Sequence, residues 1–175
     1  MALEQIRKLG GLALELAQND SRIEVTYRDA EGKITAEHLK PLKELKELVH
    51  LNLRGLNVTD ELAVHLKDLK SLTRLHLEKT KITDKALEHL RGLTNLEYLN
   101  LYGTAVSDAG LKHLAGMKKL KKLYLWQTKV TDKGVEQLKK ALPGVEVIRG
   151  FDTAPAKSPP QKPEPKKDTK TKKGK

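Results

Sequence analysis

Cysteine is absent from the 175 residues, and aromatic side chains are scarce. Without cysteine the chain has neither a disulfide framework nor a thiolate metal ligand, which fits a reducing compartment. No apolar run has membrane-spanning length, and charges interrupt the first 20 residues, so we expect neither a membrane span nor a signal peptide. The cytoplasm is therefore the favoured compartment. A secreted or periplasmic location is the alternative if a signal has been removed.

Sequence signatures of catalysis are missing as well. The chain contains no phosphate-binding glycine loop, no His-Glu-x-x-His motif and no nucleophile elbow. We therefore predict a protein that is not an enzyme and uses no cofactor. The formal net charge is +11, and eight lysines against three carboxylates after residue 150 supply +5 of it. Such an excess favours acidic partners or polyanions, whatever the fold.

What the chain does contain is a repeat of 24 residues. Leucine pairs and Thr/Ser-Asp pairs both recur at this spacing, the latter ending at Asp60, Asp84, Asp108 and Asp132. A fixed period of this length is typical of stacked repeats, in which neighbouring units share one apolar core. Each unit predicts a short strand with inward leucines, a turn, and a brief helix. The helix begins near the Thr/Ser-Asp pair, where a hydroxyl caps free amides and a carboxylate complements the helix dipole.

Three regions follow from these patterns. Residues 1–33 are predicted to be an N-terminal cap made of a short helix plus a hairpin, and residues 34–150 a repeat array that ends in a closing strand. Residues 151–175 form a Lys- and Pro-rich tail that we expect to be disordered. One long helix over residues 2–18 is the alternative for the N-terminus, and Gly10 and Gly11 disfavour it.

Residues 72–82 read Leu-Thr-Arg-Leu-His-Leu-Glu-Lys-Thr-Lys-Ile, and equivalent segments begin at Leu48, Leu96 and Leu120. The pattern resembles the leucine-rich repeat family, whose unit is Leu-x-x-Leu-x-Leu-x-x-Asn-x-Leu, over residues 22–150. Its Val/Ile-Thr-Asp continuation is similar to bacterial, planctomycete-like repeats and to those of F-box/leucine-rich proteins. The resemblance implies an α/β fold: a leucine-rich repeat solenoid with a parallel concave sheet and short convex helices, which serves as a protein-binding scaffold.

One departure from the family unit recurs. Threonine replaces the family's Asn at Thr80, Thr104 and Thr128. By likeness to that Asn, we expect each hydroxyl to bond backbone groups between neighbouring turns.

Alternation along the strands places the residues that flank the inward leucines on the concave face. Four of the five Tyr and Trp residues fall there, and a strand spacing of about 4.8 Å brings them together. We call this set the aromatic patch: Tyr98, Tyr102, Tyr124 and Trp126. Lys122 and Gln127 are predicted to form its polar rim. Because Tyr and Trp are enriched at the energetic centres of interfaces, we interpret the patch as a partner-binding site. The alternative is that the rings stack on one another and shield the sheet.

The other half of the concave face is predicted to be basic, with Glu78 as the exception. Its cationic residues are His50, Arg54, Arg74, His76 and Lys79. Together with the tail they support a second hypothesis, weak binding of a polyanion such as nucleic acid or an anionic surface. A third hypothesis is substrate recognition in an F-box-like ubiquitin ligase, although the N-terminal segment is too short for a helical F-box.

A column of histidines recurs on the helices, at His65, His89 and His113. Neither cysteines nor a converging acidic cluster accompany it, so we predict no metal site. The identity of the partner and the oligomeric state stay open.

Overall fold

The computed structural model describes residues 1–27 and 33–150. Seven strands form one sheet in sequence order. The neighbouring strands from β2 to β7 are parallel, and β1 is antiparallel to β2. The fold is therefore the α/β repeat solenoid that the resemblance implied. The tail predicted to be disordered lies outside the described residues.

The N-terminal segment folds as helix α1 (Ala2–Lys8) followed by a hairpin of β1 (Gly11–Glu15) and β2 (Ile23–Tyr27). Gly10 separates helix from strand with a φ of +80°, a conformation that glycine adopts without steric cost. Ile6 of α1 is fully buried against the end of the leucine core. The hydroxyl of buried Tyr27 donates a hydrogen bond to the carbonyl of His38 at 2.6 Å, which joins the hairpin to the first helix of the array.

Each repeat then contributes a strand and a helical segment. The strands are β3 (Leu48–Asn52), β4 (Arg74–His76), β5 (Tyr98–Asn100), β6 (Lys122–Tyr124) and β7 (Glu146–Ile148). The helices are α2 (Ala36–Leu39), α3 (Asp60–Ala63), α4 (Asp84–Leu90), α5 (Asp108–Leu111) and α6 (Asp132–Ala141). Short 3-10 turns follow three of them, at Lys40–Glu44, Val64–Leu66 and Lys112–Leu114.

The strand register reproduces the 24-residue spacing of the sequence. Leu51 pairs with Leu75, and the same column continues through Leu99 and Leu123. All four side chains are fully buried. Burying a leucine stabilises a fold by about 1.5–3 kcal/mol, so this column and its neighbours supply the core that no single repeat could form.

Three of the repeat aspartates accept hydrogen bonds from the next repeat, which tie the helical side together, and we call these bonds the aspartate ladder. Asp84 accepts bonds from the backbone N–H and the hydroxyl of Ser107, at 2.7 and 2.6 Å. Equivalent pairs of bonds join Asp60 to Thr83 and Asp108 to Thr131. The predicted capping bonds, in which the same hydroxyl oxygens accept from backbone N–H groups of the helix, are longer, 3.3–3.4 Å. Alignment of neighbouring repeats is thus the stronger role of the Thr/Ser-Asp pair.

The threonine column does not act as predicted. The hydroxyls of Thr80, Thr104 and Thr128 donate to carbonyls three residues earlier in their own turn, at 2.6–2.7 Å. A threonine side chain is short and has one donor, so it reaches its own loop rather than the neighbouring one. Backbone groups make the bonds between turns instead, for example from the N–H of Lys79 to the carbonyl of Tyr102 at 2.7 Å.

Candidate concave binding face

The four rings of the aromatic patch form two pairs across β5 and β6. The ring centroids of Tyr98 and Tyr124 are 5.2 Å apart and their planes are tilted by 44°. Tyr102 and Trp126 stack almost face to face, with centroids 5.1 Å apart and an interplanar angle of 15°. The three tyrosines are partly buried, whereas Trp126 keeps 43% of its surface exposed. The rings of the patch therefore stack in pairs, and Trp126 is also exposed to solvent.

The two residues of the predicted rim lie at different places. Lys122 is exposed on β6, and its Nζ is 3.7 Å from a carboxylate oxygen of Glu146 on the next strand. Gln127 lies in the turn after β6 with a φ of +55°. Lys79 has the same φ, and Gly55 and Gly103 occupy the equivalent position in the other repeats with values of +73° and +68°. The backbone of this turn position is thus left-handed in every repeat, whatever side chain it carries.

Glu78 is buried, although alternation predicted it on the surface. Only 4% of the residue is exposed. Its Oε1 lies 2.8 Å from Nδ1 of His76, two residues earlier on the same face. Where the other repeats have Asn52 and Asn100, the amide oxygen accepts a backbone N–H two residues later. His76 instead contacts the side chain of Glu78 and holds it against the sheet, so neither residue belongs to an open basic surface.

A second apolar element of this face was missed by the sequence interpretation. Among the described residues, the exposed large hydrophobic side chains are Met1, Leu12, Leu14 and Trp126. Leu14 pairs with Glu24 of β2, and Glu24 pairs with His50 of β3. Paired residues share a face of the sheet, so both leucines lie on the concave face at its N-terminal edge. Their alternation was visible in the sequence, but only the strand register shows which face they occupy.

A cavity of about 380 Å³ opens at the amino ends of the strands, and we call it the cationic cavity. Its lining residues are Arg22, His50, Thr73, Arg74, Glu97, Tyr98, Lys121 and Lys122. Of the predicted basic set only His50 and Arg74 line it, whereas Arg54, His76 and Lys79 lie elsewhere. Arg22 and Lys121 were missed because each precedes its strand, where alternation does not fix the direction of a side chain.

The cations of this cavity differ in how far they are neutralised. Arg22 pairs with Asp20 at 2.7 Å and Lys121 pairs with Glu97 at 2.6 Å. The guanidinium carbon of Arg74 lies 5.2 Å from the ring centroid of Tyr98. Within residues 1–27 and 33–150, no carboxylate lies within ion-pair distance of Arg74. Arg74 therefore has the least neutralised charge of the strongly basic residues in the cavity.

The pKa of His50 depends on the charged residues around the cavity. Burial lowers the pKa of His50, and the positive charge of Arg74 lowers it further. Glu24, whose carboxylate lies 3.8 Å away, opposes the shift, and Arg22 adds to it. His50 is consequently neutral near pH 7.

The histidine column lies on the helical side. His65, His89 and His113 are all partly buried beside the helix leucines. In the described ranges, no cluster of three or more His, Cys, Asp or Glu side chains is arranged to hold a metal ion. No helix in the same ranges is long and apolar enough to cross a bilayer.

A family model described as leucine-rich repeat matches residues 68–90 and 92–115, which are two consecutive units of the register. These two units are leucine-rich repeats, and the register continues the same pattern through the neighbouring units. A comparison with curated proteins found no match.

Solved structures of other leucine-rich repeat proteins resemble this one. Internalin C2 of Listeria monocytogenes is 29% identical, with a TM-score of 0.49, and the match covers 62% of this chain and 54% of that one. A leucine-rich repeat protein of Leptospira interrogans is 23% identical, with a TM-score of 0.45, and the match covers 66% and 33%. The chain thus spans about half the length of the first protein and a third of the second.

The actin-binding site 2 of leiomodin-1 is 17% identical, with a TM-score of 0.56 over 82% of this chain and 86% of that one. This likeness shows the fold alone. The leucine-rich repeat fold is generally a protein–protein interaction module, and its members are typically non-enzymatic.

Proposed function

We propose that this leucine-rich repeat protein binds a protein partner through its concave face, with the aromatic patch at the centre. The exposure of Trp126 carries the proposal. Most large hydrophobic side chains of the described residues are buried, yet the tryptophan and three tyrosines lie on the surface of the sheet. Clustered exposed rings of this kind are typical of interaction sites, and Trp and Tyr dominate the binding energy of many interfaces.

The backbone under the patch supports this interpretation because it is fixed before any partner arrives. The N–H of Leu101 donates to the carbonyl of Tyr124 at 3.0 Å, and the N–H of Gly103 donates to the carbonyl of Trp126 at 2.9 Å. Stacking between Tyr102 and Trp126 further limits the orientations of both rings. Binding to a preorganised surface loses little conformational entropy, so the contact area of the rings is converted efficiently into affinity.

Replacement of the tryptophan tests the proposal. We would compare affinity capture from the source lysate with three full-length baits: wild type, Trp126→Ala and Leu12→Ala. Leu12 is a matched control, since it is exposed by 51% on the same face but lies at the opposite edge. We expect Trp126→Ala to lose a defined protein that wild type and Leu12→Ala retain. Its free energy of unfolding should fall by less than about 1 kcal/mol, as for other surface substitutions.

Two outcomes would contradict the proposal. Unchanged capture by Trp126→Ala would remove the patch from the interface. A loss of about 3 kcal/mol or more in the free energy of unfolding would show that the ring acts in packing, at the level of a core truncation.

Polyanion binding is the second candidate function, and the cationic cavity favours it. A polyanion-binding face predicts that retention of a single-stranded oligonucleotide falls steeply with salt, because each phosphate contact releases counterions. The Lys-rich tail belongs to the same hypothesis and lies outside the described residues. The third hypothesis, a part of an F-box-like ligase, gains no support from the described geometry.

A further inference from the structure

Arg74 and Lys122 flank Tyr98 on the two neighbouring strands. The three residues occupy one register position on β4, β5 and β6. Two strand spacings separate Arg74 from Lys122, about 10 Å. Arg74 has no ion-pair partner among the described residues, whereas Lys122 forms an ion pair with Glu146 at 3.7 Å, longer than the pairs of Arg22 and Lys121. Arg74 can therefore bind an acidic group directly, and the more weakly paired Lys122 can contribute to the same site.

The aromatic patch continues from the same strand. Tyr102 follows Tyr98 by four residues and lies in the turn after β5, where its carbonyl accepts a hydrogen bond from the N–H of Lys79 at 2.7 Å. Four residues of extended chain span at most about 13 Å. The concave face thus has a cationic position at the amino end of β5 and a stacked, partly exposed ring pair at most about 13 Å further along.

We propose that the partner contributes an extended acidic segment that runs along β5. One carboxylate of the segment enters the cationic cavity between Arg74 and Lys122, and a large apolar side chain about four residues away covers Tyr102 and Trp126. This inference rests on the proposed function and specifies the chemistry of the partner. An extended peptide advances about 3.3–3.6 Å per residue, so its own spacing matches that of the two subsites.

Charge complementarity favours an acidic peptide over a nucleic acid. Arg22 and Lys121 line the cavity, but Asp20 and Glu97 already neutralise them. The remaining capacity, at unpaired Arg74 and the more weakly paired Lys122, suits one carboxylate rather than a chain of phosphates. A guanidinium held over a tyrosine ring also presents its planar donor fork, which matches the two oxygens of a carboxylate.

Binding of the segment is expected to be coupled to protonation of His50, which also lines the cavity. The groups that face His50 are Glu24 on β2, Arg74 on β4 and Arg22 before β2. A carboxylate in the cavity offsets the field of the two arginines and raises the pKa of His50. By linkage, affinity for the segment rises as the pH falls through the pKa of His50.

Selection of random linear peptides on the immobilised full chain tests the inference, with fluorescence anisotropy of the enriched peptides after labelling. We expect enriched sequences to carry Asp or Glu about four residues from a large apolar residue. Arg74→Gln should weaken their binding about tenfold, the effect of losing one charge-assisted hydrogen bond. Replacing the acidic residue of the peptide by its amide should give a similar loss, and the two changes together should give little more.

Two further variants separate the possible failures. Arg91→Gln removes an exposed arginine after α4, away from the cavity, and should leave binding unchanged. If peptides require Trp126 but carry no acidic residue, or ignore Arg74→Gln, the inference is overturned and the proposed function stands. If no enriched peptide loses affinity with Trp126→Ala, both fail. A single-stranded oligothymidylate that displaces every acidic peptide would also overturn the inference, in favour of a polyanion site.

Discussion

Removing one aspartate of the ladder should destabilise the whole array. In Asp84→Ala, the backbone N–H and the hydroxyl of Ser107 lose acceptors at 2.7 and 2.6 Å. A hydrogen bond to a charged group contributes about 1.5–3 kcal/mol, and the partial exposure of this site places both bonds at the low end. Loss of a carboxylate in the first turn of α4 costs about 0.3–1 kcal/mol more. We expect the free energy of unfolding to fall by about 3–4 kcal/mol.

Asp132 provides the matched control. It begins α6 as Asp84 begins α4, but its carboxylate has no ladder bond in the described structure and contacts Arg149 at an exposed site. Asp132→Ala therefore loses the dipole interaction and a surface ion pair, each worth up to about 1 kcal/mol, without loss of an inter-repeat bond. The difference between the losses of unfolding free energy in the two variants measures the contribution of the ladder bonds.

Equilibrium denaturation in urea, followed by circular dichroism, measures both variants. Hydrogen exchange of the Ser107 amide gives a local readout, and we expect its protection to fall only in Asp84→Ala. If the two variants lose the same free energy of unfolding, or if the Ser107 amide keeps its protection, the ladder does not stabilise the stack and its role is limited to geometry.

Three further predictions concern single residues. Hydrogen bonds from Thr131 hold the pKa of Asp108 below its usual range, so the stability they provide is present above about pH 4 and is lost as the pH falls through the depressed value. Acid titration should therefore destabilise wild type more than Asp108→Asn. In the left-handed turn column, Gln127→Gly should raise and Gly103→Ala should lower the free energy of unfolding by about 1 kcal/mol, measured by urea denaturation. Burial raises the pKa of Tyr27 to about 12, so wild-type stability should decline between about pH 10 and 12, and Tyr27→Phe should show a smaller decline.

The repeat architecture was predictable because it follows from periodicity. The leucine columns, the order of strand and helix within a unit and the concave position of the aromatic residues all follow from a 24-residue period combined with alternation. Residues such as Leu51 and Tyr98 occupy their predicted faces because each is held by the regular pairing of a strand. Where the regular pairing holds, one sequence is sufficient to place a side chain.

The sequence interpretation gave the wrong position for side chains that can contact several alternative partners. Glu78 follows its strand, and its contact with His76 rather than alternation decides its burial. Arg22 and Lys121 precede their strands and enter the cationic cavity only because neighbouring strands converge there. The aspartates were recognised as helix starts, but their bonds to the next repeat require the distance between units, which no single unit encodes.

The aspartate ladder also bears on how a chain of this kind changes length. Each bond joins the aspartate of one unit to the Thr or Ser of the following unit, as between Asp60 and Thr83. An in-frame duplication of one whole unit consequently adds one complete rung and breaks none, while deletion of a unit restores the pairing between the new neighbours. Insertions of any other size separate donor from acceptor. The number of repeats can therefore change during evolution with little loss of stability. The binding face would then lengthen or shorten while the core of each unit stays the same.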